Sequence, residues 1–240
     1  MRQDGRKDDE LRQINIDTSF LRGHPASALV EFGNTRVICA ATVEDYVPRW
    51  LKEQDRESGW VTAEYSMLPF SSPDRTAREA VRGKLGGRTH EIQRLIGRSL
   101  RTVVDLKKLK GMTIWVDCDV IEADGGTRTA SITGGFVALY LAVANLIKNG
   151  SIKANPIKDF LAAVSSGIVK GNALLDLDYQ EDFAAEVDMN IVMTGSDKFV
   201  EIQGTGEEAV FSKDDMDKML SLSSAGIKKI METQKKTLGV

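Results

Sequence analysis

The sequence predicts an α+β fold with helices packed against mixed or antiparallel sheets. Three observations carry this. Short β-branched runs alternate in polarity, two of them form glycine-centred hairpins, and three longer segments repeat their apolar residues at helical spacing. The order is strands, helix, strand, helix, strands, helix, and each half holds one hairpin and one long helix, which suggests duplicated architecture. With 240 residues the chain is expected to be a single domain over residues 1–240, with approximate halves 14–110 and 111–235.

The polar residues 1–13, with Arg2, Arg6, Lys7 and Arg12, read as an arm. Runs Ala28 to Phe32 and Arg36 to Val43 meet at Gly33-Asn34, a hairpin turn. Residues 46–59 form a polar loop, Gly59 to Tyr65 a strand, and the arginine-rich segment 74–84 is helical or mobile. Glu91 to Val104 is a helix turning Ile92, Leu95, Ile96 and Leu100 inward, with its arginines around the rim. Ile114 to Ile121 is a buried strand, followed by the turn Asp124-Gly125-Gly126-Thr127-Arg128-Thr129 and a helix from about Thr129 to Ile147. That helix presents Ile132, Phe136, Leu139, Tyr140, Val143, Leu146 and Ile147 on one broad face. Beyond Pro156 come Leu161 to Val169 and Asn172 to Leu177, joined at Lys170-Gly171-Asn172, then strands Ala184 to Thr194 and Phe199 to Gln203. The last helix runs from about Ser212 to Lys235, and Ser212 with Asp215 makes a capping box in which Asp replaces Glu.

Composition is that of a water-soluble globular protein: 42% hydrophobic, 28% charged, net charge −3. The charge is unevenly spread. Residues 71–110 hold eleven Lys/Arg against four acids, whereas residues 176–217 hold thirteen acids against Lys198 and Lys213. Such asymmetry points to a polyanion partner and a cation site, or to two faces that pair with each other. Cys39 and Cys118 lie in apolar runs and read as buried thiols of a reducing, cytoplasmic protein. The charged start has no signal-peptide pattern. The longest apolar stretch, within the helix after the glycine turn, reads as too short and interrupted to span a bilayer, so no membrane partner is expected.

Several chemistries are excluded. Gly204-Thr205-Gly206 follows a strand, but no helix opens within the glycines and two glutamates follow, so it is a tight turn and not a dinucleotide site. No Walker A pattern or nucleophile elbow is present, and two histidines, His24 and His90, cannot build a histidine metal cluster. Three constellations remain. The turn at 124–129 offers backbone N–H groups, a hydroxyl and a guanidinium to a phosphate-like anion, or else simply caps its helix. Glu186, Asp188 and Asn190 share one face of a strand, with Asp182 in matching parity if the chain stays extended, and such carboxylates suit one Mg²⁺ or a solvated polar face. Arg75, Arg78, Arg82, Lys84, Arg88, Arg94, Arg98 and Arg101 form a basic segment suited to RNA or phosphate, since arginine makes paired bonds to phosphate.

Four stretches together resemble the bacterial ribonuclease PH family: GWVTAEYSMLP at 59–69, GGRTHEIQRLIGRSLR at 86–101, DCDVIEADGGTRTASITG at 117–134 and DLDYQEDFAAEVDMN at 176–190. The resemblance spans essentially the whole chain. It implies a fold like domain 2 of ribosomal protein S5, with duplicated βαβα-type units, assembled as a homo-hexameric ring. It also implies a phosphate-dependent 3′-to-5′ exoribonuclease that trims the 3′ ends of tRNA precursors, transferring the terminal nucleotide to inorganic phosphate and releasing nucleoside diphosphates. Carried over by position, Arg88, Gly126, Thr127 and Arg128 would bind phosphate, Asp182 and Asp188 would be catalytic and hold Mg²⁺ or another divalent cation, and Arg75 and Arg78 would bind RNA. The chain departs from the family pattern in its arm, where no proline follows Arg2, at Phe70, where a basic residue is expected, and at Phe183, where serine is expected. The rival readings are a hydrolytic metal-dependent 3′ exonuclease and a non-catalytic RNA-binding ring subunit. The intact Asp182/Asp188 pair and Gly-Thr-Arg turn argue for the phosphorolytic enzyme.

Overall fold

The structure is a computed structural model that describes residues 2–54, 57–206 and 209–240, with the side chain of Arg82 outside the description. Two sheets share one contiguous apolar core. The first comprises β1 (Ile14–Asp17), β2 (Ser27–Phe32), β3 (Thr35–Glu44), β4 (Trp60–Met67) and β5 (Thr113–Glu122) in the order β1-β2-β3-β5-β4. Within it only β4 and β5 run parallel. That pairing requires a crossover, supplied by α2 (Gly87–Thr102). A short α1 (Arg49–Glu53) interrupts the loop expected at 46–59 and buries Leu51.

The second sheet is antiparallel, β7-β6-β8-β9, from β6 (Leu161–Val169), β7 (Asn172–Leu175), β8 (Val187–Thr194) and β9 (Phe199–Gly206). Both predicted hairpins form, and Gly33, Lys170 and Gly171 take the left-handed backbone their tight turns require. The midpoint expected at 110/111 does not coincide with the division between sheets. The run 114–121 reads as the start of a second unit, but β5 pairs between β3 and β4 and completes the first sheet. Gly204 and Gly206 lie within β9, so this run is strand where the sequence suggested a tight turn.

Between the sheets lies α3 (Thr127–Lys148), which packs on β2, β3 and β5 from one side and on β6 and β8 from the other. Fifteen of its 22 residues are buried, more than one apolar face can account for. Ile147, expected inside, is instead exposed at its end. Gly134 permits the close approach to the first sheet, since a Cβ there would sit 2.5 Å from Val30 Cγ2. Contrary to the sequence expectation, α3 is long and apolar enough to span a bilayer by length and composition. Its burial between two sheets makes it a core helix. On the far side α5 (Lys213–Leu238) covers β6 and β7, starting at the predicted Ser212–Asp215 capping box.

The N-terminal segment is not a free arm. Arg12 is buried, and its Nη2 donates to Asp176 Oδ1 at 2.6 Å. Arg2 Nη2 donates to Glu181 Oε2 at 2.6 Å, and Arg6 reaches the Asp176 carbonyl at 2.9 Å. Asp176 has no exposed surface and sits at φ +54°, which Asp and Asn tolerate better than other side chains. Much of the acidic stretch at 176–190 is therefore structural. Asp178 and Glu181 form the capping box of α4 (Tyr179–Phe183), a helix where an extended chain would have been needed to keep Asp182 in strand parity. Asp176→Asn keeps the backbone conformation and removes the charge, leaving Arg12 buried without its counterion. Such a loss costs about 3 kcal/mol or more, and urea unfolding of the variant checks it.

Candidate active site

Six of the eight residues proposed from sequence line a single cavity of about 510 Å³: Arg88, Gly126, Thr127, Arg128, Asp182 and Asp188. The cavity lies where the two sheets meet. One wall is basic. Thr127 and Arg128 occupy the first turn of α3, and Arg88 occupies the first turn of α2. Two helix N-termini thus bring their positive ends and free N–H groups to the same space.

The 124–129 turn does not supply a side-chain cap to α3. Gly126 is the N-cap at φ +67°, and no side chain caps the helix. The Thr127 hydroxyl pairs instead with the Tyr65 hydroxyl at 2.9 Å, and Thr129 Oγ1 donates to the Gly126 carbonyl at 2.9 Å. Burial raises the Tyr65 phenol above its ordinary pKa, so it stays a neutral partner. Arg128 does not face solvent. Its Nη1 donates to Gln203 Oε1 at 2.6 Å and approaches Glu91 at 3.4 Å, so β9 and α2 hold it from two sides. Beneath the turn, Arg12 Nη1 donates to the Asp124 carbonyl, coupling the anion turn to Asp176.

Other lining residues are acidic. Asp182 projects from α4, whose orientation is fixed by its capping box and by the buried Glu181–Arg2 pair. Asp188 lies on β8 opposite Gly167 of β6, and Asn190 Nδ2 donates to Asp188 Oδ2 at 3.2 Å. Glu186, of the same strand parity, is outside the cavity and accepts from the Gly171 amide at 3.2 Å. Asp74, Ser165 and Asn190 also line the space. Ser165 and Asp74 were not reached by sequence reasoning: Ser165 sits in an apolar strand, and Asp74 is a lone acid at the start of the arginine-rich segment.

Arg75 and Arg78 are exposed, and neither lines this cavity. Arg78 borders a separate depression with Glu64, Asp117 and Asp119. Other members of the basic segment have structural partners. Arg98 Nη2 donates to Glu201 Oε1 at 2.9 Å, while Arg101 lies 4.3 Å from the Trp60 ring centroid and donates to the Val61 carbonyl at 2.8 Å. The rim arginines of α2 are thus split between tertiary pairing and open surface, where Arg94 is exposed.

A mixed α+β chain whose two sheets bring arginines and aspartates to one cavity defines an enzyme with a charged site. The chain belongs to the 3′ exoribonuclease family, whose domain 1 matches residues 10–144 and whose domain 2 matches residues 159–226. It is 59% identical to ribonuclease PH of Bacillus subtilis over 240 residues, covering 100% of this chain and 97% of that one. Identity to ribonuclease PH of Bacillus velezensis is 58%, with the same coverage. Among solved structures it resembles an Archaeoglobus fulgidus exosome with RNA bound to the active site, at TM-score 0.81 and 25% identity, covering 96% of this chain and 91% of the other.

The two turn glycines are not equivalent. Both have positive φ, but a Cβ on Gly125 would lie 2.5 Å from the Leu177 carbonyl oxygen, whereas one on Gly126 would meet the Arg12 guanidinium and Thr129 hydroxyl at 3.1 and 3.2 Å. Gly126→Ala should cost about 1–2 kcal/mol, the left-handed backbone penalty. Gly125→Ala should cost more, because backbone cannot yield. Thermal melts of the two variants test the order.

Proposed function

We propose that this protein is a phosphate-dependent 3′-to-5′ exoribonuclease that trims the 3′ ends of tRNA precursors and releases nucleoside diphosphates. The observation that carries this is the convergence of Arg88, Gly126, Thr127 and Arg128 with Asp182 and Asp188 on one cavity. A hydrolytic nuclease needs no built anion site beside the scissile phosphate. Here Arg88, Arg128 and the Gly126-Thr127 turn hold inorganic phosphate as the nucleophile. An oxygen of that phosphate forms a bond to the scissile phosphorus. The bond from phosphorus to the 3′ oxygen of the preceding nucleotide breaks, and that oxygen takes up a proton. The diphosphate of the terminal nucleotide leaves with the former nucleophile as its β-phosphate. Orientation by the two helix starts and preorganised positive charge supply most of the rate, since phosphoryl transfer asks little covalent chemistry of a protein.

The residues fit a divalent cation of the Mg²⁺ type. The donors on the acidic wall are all oxygens, Asp182 and Asp188 with Asn190 and Ser165 nearby, and the lining holds neither His nor Cys. Among the described residues no group of three or more acids, His or Cys is placed to hold a metal without help. Mg²⁺ ordinarily takes one or two carboxylates and completes its shell with water and substrate phosphate. Asp182 and Asp188 would hold it, and when bound it neutralises charge on the scissile phosphate and on the leaving oxygen. One of the two aspartates would give the proton to the 3′ oxygen while the other keeps the cation.

The assembly is a homo-oligomeric, hexameric ring in the cytoplasm. The exposed arginines Arg75 and Arg78 and the exposed apolar Val81 and Leu85 of the same segment support this, as residues that suit an RNA-lined junction between copies. The unbridged, buried Cys39 and Cys118 suit a reducing compartment.

Chromatography of products from single-stranded RNA should show nucleoside diphosphates only when phosphate is present. Chelation should stop their release and added Mg²⁺ should restore it. Monophosphates formed without phosphate would establish the hydrolase instead.

The two arginine roles separate kinetically. Arg88→Ala should raise the Michaelis constant for phosphate and lower turnover, with RNA affinity little changed. Joint replacement of Arg75 and Arg78 by Ala should weaken RNA binding and flatten its log–log salt dependence by about one to two units, near one per lost phosphate contact. The same defect in both salt and phosphate series would show one undivided anion site.

A further inference from the structure

We propose that the groove adjoining the reaction cavity, bordered by Phe70 and Tyr179, is a stacking subsite for the nucleobase immediately upstream of the scissile linkage. The inference rests on the exoribonuclease reading and adds to it the place where the RNA chain is held. The groove has a volume of about 460 Å³ and shares Ser72, Pro73, Ala123 and Tyr179 with the reaction cavity, so the two spaces are continuous.

Three aromatic rings stand in water around this junction. Phe70 is 68% exposed, Tyr179 53% and Phe183 83%. Tyr179 and Phe183 stack on one another, with ring centroids 6.3 Å apart and planes inclined by 30°. Both belong to α4, and the Tyr179 amide is tied to Asp124 Oδ1 at 3.2 Å, so Tyr179 is held on an anchored backbone at the cavity mouth. Large rings left exposed on a firmly held element favour a ligand with a flat apolar face.

The charge of the groove selects which part of RNA enters. Glu122 and Asp124 line it. Carboxylates repel a phosphodiester but accept hydrogen bonds from base amino groups, so a base enters and the backbone stays toward the basic wall. Every base has a π-face, so such a site adds affinity without fixing sequence. A nuclease that shortens its substrate one nucleotide at a time needs that tolerance, because each base in turn occupies the site.

The test is a binding titration by fluorescence anisotropy, without phosphate so that the RNA stays intact. Wild type, Phe70→Ala and Tyr179→Ala are each titrated with a 5′-labelled single-stranded RNA and with the same RNA made abasic at its penultimate residue. Wild type should lose roughly tenfold in affinity on removal of the base, within the range measured for base–aromatic stacking. Each alanine variant should bind intact RNA about that much more weakly and should lose little further when the base is absent. Phe70→Trp should retain wild-type affinity. Unchanged binding by both alanine variants would overturn the subsite, as would full additivity of protein and RNA changes. A fall in light-scattering mass of the alanine variants, with RNA affinity unchanged, would assign the rings to a contact between subunits and also overturn it. The coupling reads the subsite whichever product the enzyme releases. Monophosphate products would overturn the phosphorolytic reading and leave a positive coupling standing.

Discussion

The buried pairing of Arg12 with Asp176 is the constraint on which the rest of the molecule depends. One guanidinium, almost wholly withdrawn from water, satisfies both oxygens of a carboxylate on the second sheet's side and also grips the carbonyl of Asp124. Isolated burial of either charge would be costly, and together their hydrogen bonds make the arrangement affordable and geometrically narrow. The turn that begins α3 and the loop that leads into α4 are thereby fixed relative to each other. Gly126, Thr127 and Arg128 follow from the first and Asp182 from the second, so these four lining residues are positioned by a buried pair beneath them.

Regularity along the chain is what sequence reading captures. The two hairpins, the inward face of α2 and the capping box of α5 are each specified within a few residues, and each forms as expected. The fold class follows from their order. The six cavity residues were singled out by carry-over from the family resemblance, since their residue types alone left helix capping and a solvated polar face open. Pairings over long sequence distance were not legible. Arg2 and Glu181 are separated by 179 positions and Arg12 and Asp176 by 164, so an N-terminal run of charges looked like a solvated arm. The same blindness hid that Asp176, Asp178 and Glu181 serve pairing and capping. Arg98 and Arg101 likewise find Glu201 and Trp60 only in three dimensions.

The distribution of charge in the folded molecule is more economical than the sequence suggests. Much of the segregated charge is consumed internally, as the N-terminal arginines neutralise the start of the acidic stretch and Glu201 takes Arg98. Arg75, Arg78, Lys84 and Arg88 remain exposed.

The placement of α3 has a consequence for how the molecule can come apart. Most of its residues fall within the first of the two family domains, yet one side of it is covered by strands of the second. Cleavage in the connection around Gly150 would leave the first fragment with a bare apolar helix and the second with an uncovered sheet. Neither fragment would be a self-sufficient folding unit. The junction between the domains is covalently dispensable but energetically indispensable, so a split gene would have to yield pieces that meet before either aggregates.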